Sequence, residues 1–116
     1  MNGTFQYSKE VEVSVAGAPQ SFSLSQNYPN PFNPSTTIQY ALPYASNVKV
    51  IIYNITGAVI KVLINSSQEA GVHQAIMNTA SNGMNLSSGI YFYTIQATSL
   101  DGSHSFKQTK KMILLK

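Results

Sequence analysis

Apolar and polar positions alternate along most of this chain with a period of two, which is the spacing of half-buried strands. The first instance is Lys9 to Val15, where Val11, Val13 and Val15 share one face. The small residues and Pro19 of the stretch 16–21 have the composition of a linker. Residues 1–20 are therefore read as the tail of a preceding domain plus a tether, and residues 21–116 as one folded domain. The alternative is that Val11 to Val15 form a first strand of the same fold.

Pro29, Pro31 and Pro34 follow, and each denies the preceding residue the helical region, so this stretch is expected to be extended and stiff. Ile38, Tyr40 and Leu42 then alternate with polar or small residues until Pro43 ends the strand. From Val48 to Ile55 the pattern changes from alternation to continuous apolarity, as in a mid-sheet strand covered on both faces. A turn at Thr56-Gly57, with Gly57 at positive φ, returns the chain through Ala58 to Ile64 as a hairpin. A loop is expected from Asn65 to Gly71, a strand from Val72 to Asn78, and a polar, non-helical connection from Thr79 to Ser88. Gly89 opens a strand that reads IYFYTIQAT. Asp101-Gly102 marks another hairpin, and Ser105 to Leu115 forms the last strand. About seven short strands between turn signals predict an all-β, immunoglobulin-like antiparallel β-sandwich.

Composition agrees with that class. At 116 residues, 43% hydrophobic and 9% charged, the chain has enough apolar surface for one core and too little charge for disorder. The net charge of +3 comes from Lys alone, because the chain has no Arg. So small a positive balance, without the side chain that makes bidentate base and phosphate contacts, argues against nucleic-acid binding. There is no cysteine, so neither a disulfide framework nor thiolate chemistry is available. No apolar run approaches the ~18 residues of a membrane span, and the first residues do not have the pattern of a signal peptide. Any export signal is expected upstream.

Candidate chemistry is sparse. Asp101 and His104 flank a hairpin glycine and read as exposed turn residues, and His73 sits on a short alternating strand. No nucleophile elbow, carboxylate pair or metal-ligand spacing accompanies them, so the reading is non-enzymatic, with no cofactor and no metal. Glycosylation triplets begin at Asn2, Asn54, Asn65 and Asn85, a pattern that an Asn- and Ser-rich chain produces by chance. Tyr91 and Tyr93 lie on one strand face and Phe92 on the other, which keeps sugar stacking open as an alternative. The β-branched run Val48 to Ile52 suggests weak self-association by edge pairing.

Several blocks carry more information together than singly. They are Leu24-Ser25-Gln26-Asn27-Tyr28-Pro29-Asn30-Pro31-Phe32-Asn33-Pro34, then Ser35 to Pro43, Ile52 to Gly57, Ala70 to His73, Ser88 to Tyr93, and Lys110-Lys111-Met112-Ile113-Leu114-Leu115-Lys116. In this order they resemble the C-terminal sorting domains of type IX secretion substrates and the related immunoglobulin-like domain of flagellar hook-capping proteins. Two positions depart from the pattern: Asn54 stands where an Asp is usual, and Met77 where a Trp is common.

The resemblance implies a non-catalytic signal that directs an attached cargo from the periplasm through the outer membrane. It implies two partners, the outer-membrane machinery and a surface sorting protease, and a destination outside the cell or on its surface. The terminal block Lys110, Lys111, Met112, Ile113, Leu114, Leu115 and Lys116 is expected either to meet the translocon by strand addition or only to close the sandwich, while Asn27, Pro29, Asn30, Pro31, Phe32, Gly57, Gly71, Gly89 and Tyr91 form the motif scaffold. A structural, adhesive or sugar-binding module is the alternative.

Overall fold

The computed structural model describes residues 19–80 and 86–116. The expected strand from Val11 to Val15, the linker up to residue 18, and the triplets at Asn2 and Asn85 lie outside the described residues. Within them run β1 (Ser23–Leu24), β2 (Ser35–Leu42), β3 (Ser46–Tyr53), β4 (Val59–Gln68), β5 (Gly71–Asn78), β6 (Gly89–Ser99) and β7 (Ser105–Leu114). They form two antiparallel sheets, one ordered β1-β2-β5 and the other β4-β3-β6-β7, with no helix among the described residues.

The alternation read from the sequence decides which side chains fill the space between the sheets. Ile38, Tyr40 and Leu42 point inward from β2, Val48, Val50 and Ile52 from β3, and Tyr91, Tyr93, Ile95 and Ala97 from β6. Strand β3 lies between β4 and β6, as its apolar run predicts, and Ile51 on its outer face is also largely covered. That interior position overturns Val48 to Ile52 as a self-association edge, since backbone paired on both sides has no donors or acceptors left for another chain.

Turn chemistry closes the hairpins. Gly57 has φ of 90° and Gly102 of 77°, conformations that residues with a Cβ rarely adopt. At the β3–β4 turn, the Asn54 Oδ1 accepts from the Thr56 N–H at 3.0 Å, the Thr56 hydroxyl at 2.7 Å and the Ala58 N–H at 2.9 Å. Every one of these contacts uses a side-chain oxygen as acceptor. Asn therefore does here what the more usual Asp would do. Met77 is fully buried, so a flexible thioether occupies the core position where a Trp is common. The expected loop from Asn65 to Gly71 is much shorter than its polarity suggests. Strand β4 continues to Gln68 because Asn65, Ser66 and Ser67 pair with Lys49, Val48 and Asn47 on a solvent-facing edge.

Candidate functional site

The terminal strand β7 lies at an edge of the larger sheet, paired along its length with β6 from Gly89↔Leu114 to Thr98↔Ser105. Alternation splits the terminal block in two. Met112 and Leu114 are fully buried, whereas Lys111, Leu115 and Lys116 are exposed and Lys110 and Ile113 are half-buried. Burying an aliphatic side chain of this size contributes about 1.5–3 kcal/mol. Half of the apolar content of the block is therefore committed to the core.

The proline-rich arm of residues 25–34 lies along the outer edge of this same block. Phe32 makes a parallel bridge with Leu114: its N–H donates to the Ile113 carbonyl at 2.9 Å, and its carbonyl accepts the Leu115 N–H at 3.0 Å. The Asn30 Oδ1 accepts the Ile113 N–H at 3.0 Å, and the Gln26 Nε2 donates to the Lys111 carbonyl at 2.6 Å. The Phe32 ring is buried, so the bridge is anchored by the core as well as by hydrogen bonds. The Lys116 N–H donates to the Ser88 Oγ at 2.8 Å, which ties the last residue to the start of β6.

Asn27 holds the arm in place. It is 2% exposed, and its backbone N–H donates to the Tyr93 hydroxyl at 2.8 Å. Its Nδ2 donates to the Thr36 Oγ1 at 3.0 Å and to the Pro29 carbonyl at 3.2 Å, while its Oδ1 accepts from the Gln26 Nε2 at 2.7 Å. The Tyr93 hydroxyl in turn donates to the Ser25 carbonyl at 2.7 Å. Burial pushes the Tyr93 phenol up to about 12, against a lowering from its hydrogen bond with the Asn27 backbone, so it stays neutral and able to donate. These buried polar groups are mutually satisfied, which is the condition under which such a network stabilises a fold.

The structure thus brings Asn27, Pro29, Asn30 and Phe32 together with the terminal block, with Gly89 and Tyr91 opposite Leu114 and Met112 on β6. Gly57 and Gly71 stand apart from it, in the β3–β4 and β4–β5 turns. Gln26, Thr36, Ser88 and Tyr93 belong to the site, although the sequence reading placed them in the motif blocks without counting them among the site residues. A signal existed for Tyr93, whose alternation with Phe92 put it on the same strand face as Tyr91. The others act through hydrogen bonds between residues far apart in the chain, which no local pattern announces.

Tyr91 and Tyr93 do not offer rings to a sugar. Both face the core, and the Tyr91 hydroxyl donates to the Ser87 carbonyl at 2.6 Å. Asp101 and His104 are exposed on the β6–β7 hairpin, where the His104 ring stacks on Tyr44 with centroids 4.4 Å apart. His73 stacks on Tyr40 at 5.6 Å, and its Nε2 lies 2.7 Å from the Glu69 carbonyl oxygen. Among the described residues, no group of three His, Asp or Glu side chains is close enough to hold a metal ion. No helix among them is long and apolar enough to cross a membrane.

Comparison with known proteins adds the family. No curated protein matches this chain. A solved structure of PorZ, described as an essential bacterial surface component of the type IX secretion system of Porphyromonas gingivalis, aligns at 18% identity with a TM-score of 0.43. The alignment covers 82% of this chain and 11% of that protein, a likeness too slight to support an argument. A family profile described as the secretion system C-terminal sorting domain matches residues 26–114, which hold the proline-rich arm from Gln26 onward and the terminal block as far as Leu114. The chain belongs to this family of sorting domains, which act as type IX secretion signals for proteins exported to the cell surface or beyond, and which are in general non-catalytic.

Proposed function

We propose that the outward face of the terminal block, Lys111, Ile113, Leu115 and Lys116, is the surface read by the outer-membrane secretion machinery, and that Met112 and Leu114 serve it by anchoring the strand. The observation that supports this reading is the clasp. Five contacts from Gln26, Asn30, Phe32 and Ser88 hold the backbone of residues 111–116 in one conformation, while Lys111, Leu115 and Lys116 on either side of the two core anchors remain outside and Ile113 between them is half-buried. A preordered strand loses less conformational entropy on binding than a flexible tail, so a short epitope can be recognised. Lys110, half-buried on the core side, contributes its stem to the rim.

In this reading the domain has no catalytic role, and residues 1–20 are the end of a preceding unit plus a tether to it. A surface sorting protease severs that tether, which separates the domain from its cargo. The cargo then attaches to the cell surface.

Deleting residues 111–116 cannot test this, because it removes core side chains and the clasp together. The informative variant is the quadruple substitution Lys111→Glu, Ile113→Thr, Leu115→Ser and Lys116→Glu in a fusion of the full chain to a periplasmic reporter. The expected result is an unchanged thermal melt with the reporter retained in the periplasm. Normal export of this folded variant would overturn the proposal.

A further inference from the structure

A sheet edge with unpaired backbone invites another strand, and proteins ordinarily block it. The four edge strands here, β1, β4, β5 and β7, are treated very differently. Strand β1 is only two residues long. Strand β4 carries Lys61 and breaks register with β3 at two places, between Val50 and Ile51 and between Ile52 and Tyr53. Strand β7 carries Lys107, Lys110 and Lys111 and is clasped by the arm. Strand β5, reading Gly71-Val72-His73-Gln74-Ala75-Ile76-Met77-Asn78, has no Lys, Glu, Asp, Pro or bulge, and it pairs with β2 in unbroken register.

The free side of β5 can be identified. The Thr79 N–H donates to the Pro34 carbonyl at 3.0 Å, so the alternating set Met77, Ala75, His73 and Gly71 bonds to β2. Val72, Gln74 and Ile76 then direct their N–H and C=O groups to the open edge. Their side chains stand on the outer face of the sheet, where Val72 is 58% and Ile76 65% exposed. Among the described residues, no strand pairs with that edge.

We infer that β5 pairs antiparallel with β5 of a second copy of this chain about a twofold axis at Gln74. The sequence is self-complementary in that register. Val72 faces the partner's Ile76, Gln74 faces its counterpart, and each facing pair exchanges both backbone hydrogen bonds. Two β-branched pairs cross the axis on the outer face, a favourable cross-strand combination, and the amides of the two Gln74 side chains can bond each other. No charge on β5 opposes its own copy, although the chain carries a net charge of +3. On the same face Ile76 lies beside Thr37, which is bridged to Tyr28, itself 80% exposed, so the apolar row continues across the joined sheet. Such a contact is smaller than the roughly 1,000 Å² of a stable interface and gives a reversible dimer.

Sedimentation equilibrium on the full chain, in a concentration series up to the millimolar range, tests the inference. The expected result is a monomer–dimer equilibrium whose dissociation constant rises at least about tenfold in Gln74→Lys, which places two ammonium groups face to face across the axis. Ile76→Lys should act in the same direction, whereas Ser66→Lys, which adds the same charge on β4, should leave the constant within about twofold. Because the chain has no cysteine, Gln74→Cys joined by a short bismaleimide should give a single cross-linked dimer. A wild-type chain that stays monomeric throughout overturns the inference, also where protection of the β5 amides from exchange shows that residues 1–18 cover the edge. A dimer that persists in both Lys variants overturns it as well.

Discussion

Strands β7 and β5 each end a sheet, yet among the described residues one edge is closed and the other open. The N–H and C=O groups of β7 between Lys111 and Leu115 are met by a buried aromatic anchor and side-chain amides, and its remaining length carries lysines. Strand β5 presents Val72, Gln74 and Ile76 with no such device. The difference teaches that this domain concentrates its long-range contacts on its last strand, the segment proposed above as the surface that is read. Strand β5, which gives the core only Ala75 and Met77, is left without any such device.

The strongest way to break this contrast is to open the β7 edge. Phe32→Ala should cost about 3–5 kcal/mol, the range for truncating a buried Phe, read as a lowered urea midpoint. In dilute solution the Ile113 and Leu115 amides should then exchange with solvent as fast as that of Gln74, whereas in the parent domain they should be protected. Tyr93→Phe should cost about 1–3 kcal/mol, because the Asn27 N–H and the Ser25 carbonyl lose a buried partner.

The same phenol sets a limit at alkaline pH. Its folded pKa, at about 12, lies above its ordinary value of 10.0, so its contribution is complete below pH about 10 and lost as pH rises toward 12. An alkaline denaturation curve on wild type and Tyr93→Phe should separate this loss from that of the other tyrosines.

A smaller effect sharpens the contrast from the other end of β7. On the β6–β7 hairpin, the Asp101 carboxylate accepts from the Ser103 hydroxyl at 2.7 Å, the Ser103 N–H at 2.9 Å and the Ser99 hydroxyl at 2.7 Å. These bonds lower its pKa to about 2. The hairpin's stabilisation is therefore complete above the unfolded value near 3.8 and lost as pH falls toward 2. Amide exchange at Ser103 and His104 should accelerate in that window with little change in β5. Least of all, Val72→Lys should give β5 the kind of charge that β7 carries and leave folding stability within about 0.5 kcal/mol, as measured by thermal melting.

Much of the architecture was legible before any coordinates. The inward face of β2 follows from the alternation of Ile38, Tyr40 and Leu42, and the mid-sheet place of β3 from its continuous apolar run, whereas the inward turn of Tyr91 and Tyr93 on β6 needed the structure. Gly57 and Gly102 marked their turns because only glycine tolerates those backbone angles at no steric cost. The same local reading ended β4 too early, since Asn65, Ser66 and Ser67 look like a loop until β3 supplies their partners. It also offered Val48 to Ile52 for edge pairing, against the continuous apolar run that put the same strand in mid-sheet, where β4 and β6 flank it.

By itself the sequence determined the period, the turns, the all-β class and the family, because each of these depends on residues within a few positions or on motifs in fixed order. Only the tertiary structure decided that the proline-rich arm lies against a strand some eighty residues away, that Met112 and Leu114 belong to the core while Lys111 and Leu115 do not, and that β5 is, among the described residues, an edge without clasp, charge or bulge. The physical reason is that strand pairing satisfies the backbone, which is alike in every residue, so the choice of neighbour is made by how the whole sandwich closes.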